Sequence, residues 1–176
     1  MVSQRMMRHA PWLAGTAFLL LAASMPSVAL EAPDGPAVLT VSGQISVTNQ
    51  ADEAVFDHAM LEALGRQTTV TSTPWHDETL RFTGPLARSV LQAVGAEEAQ
   101  TVIAVAINGY EVEIPVEDFY TYDVIFATHA NDTPMSVREH GPVFVIYPFD
   151  SNTSLHQETI YARSAWQVTH LLVDVD

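Results

Sequence analysis

The residue types that usually perform redox or nucleophilic chemistry are missing from this sequence or lack the necessary spacing. The chain contains no cysteine, so it offers no thiolate to a soft metal ion. Ser72 and Ser164 lack the G-x-S-x-G frame that activates a serine nucleophile. The histidines show no His-x-x-x-His spacing, and His76-Asp77 is the one adjacent pair that could begin a metal site. The sequence therefore predicts no metal centre and no catalytic residue.

Four aromatic side chains are candidates for contacts with a small molecule. Trp75 stands in a polar loop, where a tryptophan walls a pocket or packs on the edge of the domain. Trp166 precedes a predicted strand, where plain core packing is an equal alternative. Tyr147 ends a strand and Tyr161 lies close to an arginine, so either hydroxyl could reach a pocket or stay at its rim.

Charged candidates are few, because the chain has seven basic residues and all of them are arginines. Arg163 could hold a ligand or form an ion pair with one of the acidic residues. Arg138 and Glu139 could pair with each other. Alternatively, Arg138 orders its loop while Glu139 accepts hydrogen bonds from the polar edge of a ligand.

The spacing of apolar residues predicts one mixed α+β domain over residues 30–176. Two helices are predicted at residues 56–64 and 86–94, and a third begins within 115–118. Asn108-Gly109 predicts a hairpin turn between two strands. The predicted strands are residues 38–47, 67–73, 80–83, 101–107, 110–114, 124–127, 143–147 and 159–175.

Three passages in this order resemble the oxidoreductase molybdopterin-binding domain of the sulfite-oxidase type. They are FTGPLARSVLQAVGA (82–96), VAINGYEVEIPVEDF (105–119) and MSVREHGPVFVIYPFDSNTSLHQETIYARSAWQVTHLLV (135–173). In that family they form a glycine-led helix, a hairpin, and a strand followed by the loop that holds the pterin. The resemblance implies the same α+β fold here.

A small exported branch of this family is the most similar. Its motifs are present as Pro74-Trp75, as VREHGP (137–142) and as RSAWQ (163–167). Members of that branch are understood as periplasmic pterin-binding proteins that contact the periplasmic domain of membrane-bound cyclic-di-GMP enzymes. The resemblance implies that ligand, that compartment and that kind of partner for this chain.

Two departures from the metal-dependent relatives bear on the cofactor. The cysteine that ligates the metal in those relatives would fall near Ser72. A basic residue stands before their final strand, where this chain has Trp166. An aromatic plane favours stacking on a bicyclic ring over binding a phosphate, so the resemblance implies a reduced, non-phosphorylated pterin and makes the molybdenum cofactor an unfavoured ligand.

The first 29 residues have the pattern of a Sec-type signal peptide. Arg5 and Arg8 precede an apolar run at residues 12–23, and cleavage is expected after Ala29. An uncleaved anchor is the alternative, but the run is shorter than the ~20 residues that span a bilayer. We therefore expect a periplasmic protein without direct membrane insertion after processing.

Net charge excludes two classes of partner. Removing residues 1–29 takes away two of the seven basic residues and none of the 21 acidic ones, so the remaining 147 residues carry a formal charge of −16. Such a field disfavours nucleic acids and anionic membranes.

Three functions are compatible with these observations. The first hypothesis is a binding module, not an enzyme, which captures a pterin and relays its presence to a membrane-bound cyclic-di-GMP enzyme. The second is a molybdopterin-dependent oxidoreductase with a metal ligand other than cysteine. The third is a scaffold that binds only protein.

Overall fold

The computed structural model describes residues 30–174, and within this range the chain forms eleven strands and four short α-helices. The predicted signal peptide lies outside the described residues. No helix in the described range has the length and apolar character needed to cross a membrane. The elements are β1 Leu39–Gly43, β2 Ala54–Phe56, α1 His58–Ala63, β3 Gln67–Thr73, β4 His76–Gly84, α2 Ala87–Ala93, β5 Thr101–Ala106, β6 Glu111–Pro115, α3 Val116–Thr121, β7 Ile125–Ala127, β8 His129–Ala130, β9 Thr133–Pro134, β10 Phe144–Ile146, α4 Glu158–Arg163 and β11 Val168–Val173.

The strands form three sheets. A five-stranded sheet has the order β2-β1-β11-β5-β6, in which β1 and β11 are parallel and the other neighbours are antiparallel. A four-stranded antiparallel sheet has the order β3-β4-β8-β9, and β7 pairs with β10. This mixture of sheets and short helices confirms the predicted α+β fold class.

Two hydrophobic cores stabilise the fold. The larger one packs helices α1, α2 and α3 against the five-stranded sheet, and the smaller one groups Phe82, Ile125, Ala127, Met135, Phe144 and Ile146. Trp75, in the turn between β3 and β4, packs against both cores. The turn that positions this tryptophan is therefore held on two sides.

Several predicted elements are confirmed with shorter bounds, and one is wrong. The helix predicted at 56–64 begins only after Asp57, whose carboxylate accepts a hydrogen bond from the backbone of Met60 as an N-cap. The strand predicted at 159–175 is half helix, because residues 158–163 form α4 and the strand begins at Val168. Glu158 in the first turn and Arg163 in the last turn both favour this helix through its dipole.

Candidate functional site

A cleft of about 350 Å³ opens where the β5–β6 hairpin, the end of α4 and the β3–β4 turn meet. Its volume lies within the ~300–1,000 Å³ of ordinary small-molecule pockets. Most of the lining side chains are apolar or aromatic, and none is charged. The lining residues are Trp75, Ala106, Asn108, Tyr110, Tyr161, Ala162, Ser164, Ala165 and Trp166.

Three of the sequence-predicted residues form the aromatic walls of this cleft. The rings of Trp75 and Trp166 meet edge to face with centroids 5.3 Å apart. Tyr161 meets Trp75 in the same way at 6.1 Å. Edge-to-face contacts of this kind favour one orientation of each ring.

Tyrosine hydroxyls tie the walls of the cleft to the surrounding chain. The hydroxyl of Tyr161 lies 2.9 Å from Nδ1 of His156, in the segment before α4. Tyr110 donates to the carbonyl oxygen of Ala162 over 3.1 Å, which joins the β5–β6 hairpin to α4. Sequence reasoning did not select Asn108 or Tyr110, although the turn signal at Asn108 marked the hairpin that carries both.

Arg163 and Tyr147 do not line the cleft, contrary to expectation, but meet at a buried carboxylate beside it. The Oδ2 atom of Asp118 accepts from Nη1 of Arg163 at 3.0 Å and from the hydroxyl of Tyr147 at 2.8 Å. Burial raises the pKa of Tyr147 well above its usual range, and the Asp118 carboxylate adds to this shift. The tyrosine is therefore a hydrogen-bond donor and not an acid, and Arg163 anchors the end of α4.

Arg138 and Glu139 also lie outside the lining of the cleft. They belong to a single 3₁₀ turn, residues 137–139, in which Glu139 Oε2 accepts from the Ser136 hydroxyl at 2.7 Å and from its backbone N–H at 3.3 Å. The side-chain and backbone hydrogen bonds from Ser136 lower the pKa of Glu139. Glu139 thus closes a capping box, and its contact with a ligand stays a prediction.

At the position expected for a metal-ligating cysteine, Ser72 is hydrogen-bonded to another element. Its hydroxyl donates to one oxygen of Asp150, and its backbone N–H donates to the other over 2.8 Å. Both bonds lower the pKa of Asp150, and the bond from the Ser72 hydroxyl contributes more than the bond from the backbone. They fasten the segment that follows β10 to β3.

The residues present fit the pterin part of a molybdopterin better than its metal. The cleft offers aromatic walls of a suitable size, whereas no thiolate exists anywhere in the chain. Residues 30–174 also hold no group of three or more His, Asp or Glu side chains that could bind a metal ion. We therefore derive no chemical step through molybdenum.

The chain was compared with known protein families. Residues 48–150 match the model of the family described as the oxidoreductase molybdopterin binding domain. The chain belongs to this family. The matched range runs from the turn before β2 to Asp150, so it includes Trp75 and the hairpin with Tyr110, while the remaining cleft residues follow it.

A solved structure shares the fold of this molybdopterin-binding domain. The crystal structure of the sulfane dehydrogenase SoxCD from Paracoccus pantotrophus aligns with a TM-score of 0.57 at 17% sequence identity. The alignment covers 78% of this chain and 38% of that chain, so this chain spans well under half of its neighbour. No curated protein matches the sequence.

These comparisons correct one expectation. The sequence predicted that this chain is not an enzyme, because it lacks the metal-ligating cysteine. The matched family is one of oxidoreductase domains. The missing cysteine restricts how a metal could be held, but it does not separate the chain from an oxidoreductase family.

Proposed function

We propose that this chain is an exported pterin-binding protein and that the cleft holds the pterin ring. The observation that carries the proposal is the set of aromatic walls, in which Trp75, Tyr161 and Trp166 line one cleft and contact one another edge to face. A flat heteroaromatic ring gains most from such walls because both its area and its quadrupole match them. Membership of a molybdopterin-binding family supports the choice of a pterin over other flat rings.

The charge of the cleft supports a non-phosphorylated ligand. No charged side chain lines the cleft, and the nearby Arg163 is paired with Asp118. A phosphate group would lose water without gaining a cation in return, which is unfavourable. The side-chain amide of Asn108 and the hydroxyl of Tyr110 can instead bond the neutral edge of a reduced pterin.

The proposed relay connects the cleft to a partner protein. A ligand that contacts Trp75 and Tyr161 would stabilise the β3–β4 turn and the 150–159 segment, and so change the surface that both present. The proposed partner is the periplasmic domain of a membrane-bound cyclic-di-GMP enzyme, in agreement with the motifs around Trp75, VREHGP and RSAWQ. Co-elution of the two purified proteins that changes on addition of a reduced pterin would support this relay, and identical elution with and without pterin would contradict it.

A second candidate function is favoured by the family itself. An oxidoreductase of this family would hold its pterin in the same cleft. The metal would then need a protein ligand other than cysteine or none at all, because the chain contains no thiol. Molybdenum bound together with the pterin distinguishes this function from the first.

Titration of the full chain with tetrahydrobiopterin, followed by tryptophan fluorescence, tests the cleft. We expect saturable binding, and we expect Trp166→Ala to weaken it by more than ~1 kcal/mol, about fivefold in Kd, because the ring face is lost. Trp166→Phe keeps a ring in the wall and should retain most of the affinity. Tyr120→Ala, at an exposed aromatic residue outside the cleft, is the matched control.

Two results would contradict the proposal. The first is the absence of saturable binding to the wild-type chain. The second is equal affinity in the wild type and in a folded Trp166→Ala variant, because Trp166 would then not be part of the binding surface.

A further inference from the structure

Two histidines that are far apart in the sequence meet beside the cleft. His76 begins β4 and His140 follows the 137–139 turn, and their ring centroids are 4.9 Å apart with an angle of 65° between the planes. Both side chains are half-buried. No short-range histidine motif reveals the pair, because its members are 64 positions apart in the sequence.

The surroundings orient both imidazoles. Nδ1 of His76 lies 2.7 Å from the hydroxyl of the buried Thr73, which leaves Nε2 as its free nitrogen. The ring of His140 stacks on Phe144 at 5.3 Å. A metal-binding histidine usually has its second nitrogen fixed by an outer hydrogen-bond partner in the way that Thr73 fixes His76.

The separation of the rings agrees with shared coordination of one ion. With metal–nitrogen bonds of about 2.0–2.1 Å and a tetrahedral or square arrangement, two imidazoles on one ion have centroids roughly 5 Å apart.

We propose that His76 and His140 form a binding site for a late divalent transition-metal ion, Cu²⁺ in preference to Zn²⁺. Imidazole nitrogen suits these ions, and Cu²⁺ forms the stronger complex of the two. Water would complete the coordination, since Glu139 Oε2 accepts from the Ser136 hydroxyl and Asp77 is the exposed neighbour that alternates to the other face of β4. This site is independent of the pterin proposal and differs from the thiolate site of molybdenum enzymes.

Trp166 provides an optical signal for the ion. Its ring lies 5.4 Å from that of His140 and also lines the cleft. Bound Cu²⁺ should therefore quench tryptophan fluorescence, whereas Zn²⁺, which has a filled d shell, should bind without comparable quenching.

Titration of the full chain with Cu²⁺ tests the proposal, with fluorescence and calorimetry as readouts. We expect one equivalent to bind with quenching, and we expect His76→Gln and His140→Gln each to weaken this binding by tenfold or more. The matched control is His170→Gln, because His170 is exposed on β11 in the other sheet. Its affinity should equal that of the wild type.

A second measurement needs no variant of the pair. In proton NMR spectra of the wild-type chain, the imidazole signals of His76 and His140 should broaden before those of the other histidines as Cu²⁺ is added. Uniform broadening of all histidines would indicate an adventitious ion only and overturn the proposal. The proposal would also be overturned if His170→Gln weakened Cu²⁺ binding as much as the two variants of the pair. It would be overturned as well if neither His76→Gln nor His140→Gln changed the Cu²⁺ affinity of the folded protein.

Discussion

Asp118 has a buried carboxylate that stabilises one wall of the cleft. It accepts hydrogen bonds from both Tyr147 and Arg163, and Arg163 ends the helix that carries Tyr161. We expect Asp118→Ala to lower the free energy of unfolding by about 3 kcal/mol, because it leaves a buried hydroxyl and a guanidinium without their acceptor. Tyr147→Phe removes only one donor and should cost about 1 kcal/mol.

Urea denaturation of the two single variants and the double variant measures this coupling. In the double variant no tyrosine hydroxyl is left unsatisfied, so its cost should be smaller than the sum of the two single costs. Additive effects would show that Asp118 and Tyr147 do not act as a unit.

Asp57, the N-cap of α1, should contribute to the acid sensitivity of the fold. Backbone N–H groups of Met60 and Gly35 donate to its carboxylate, and these bonds lower the pKa of Asp57. A carboxyl group whose pKa is lower in the folded than in the unfolded chain stabilises the fold at pH values above its unfolded pKa of about 4. This stability is lost as the pH falls through the folded pKa.

Asp57→Asn keeps a capping oxygen and removes the charge, so we expect it to reduce the loss of stability between about pH 5 and pH 3. Thermal melts across this range measure the effect, and Asp52→Asn, at an exposed carboxylate, is the control. If the melting temperature fell with decreasing pH by the same amount in Asp57→Asn and in the wild type, this role of Asp57 would be contradicted.

At the scale of elements, Gly84 allows β4 to pass closely over β7. A Cβ atom at this position would lie 2.0 Å from the carbonyl oxygen of Phe126. We expect Gly84→Ala to lower the free energy of unfolding by about 3 kcal/mol or more, because backbone must move to relieve the overlap. Gly109→Ala is the comparison, since Gly109 has a φ of +81° but open space around it, and it should cost about 1 kcal/mol. If denaturant unfolding showed the same loss of unfolding free energy for Gly84→Ala and Gly109→Ala, the close approach of β4 to β7 would be contradicted.

The elements also show where sequence patterns suffice. The β5–β6 hairpin was predicted because Asn108-Gly109 stands between two apolar alternating runs, and local chemistry decides such a turn. Helix α4 was missed because Thr159, Ile160 and Tyr161 have high strand propensity. Arg163 at the end of this helix also pairs with Asp118, a contact with another part of the chain that no local pattern indicates.

At the scale of the whole molecule, the order of motifs predicted the fold, but not the membership of the site. Trp75 was selected as an aromatic residue in a loop, Trp166 as one before a predicted strand, and Tyr161 as a neighbour of an arginine, and the topology brings all three to one cleft. Glu139 and Arg163 were selected as charged residues and Tyr147 as the end of a predicted strand, and the capping, ion-pair and hydrogen-bond contacts of these three follow from tertiary packing. Residue type predicted the walls of the cleft, whereas the partners of charged residues required the three-dimensional structure.

The identity of the bound molecule decides whether this chain is a pterin-binding protein. The full chain, produced with its first 29 residues in a bacterial host and recovered from the periplasm, is denatured, and the released molecules are identified by mass spectrometry while molybdenum is counted in parallel. We predict one equivalent of a non-phosphorylated pterin per chain and no stoichiometric molybdenum. Molybdenum released together with its pterin would instead establish the oxidoreductase candidate. The absence of any pterin, with none rebound when a reduced pterin is added to the folded protein, would contradict the account.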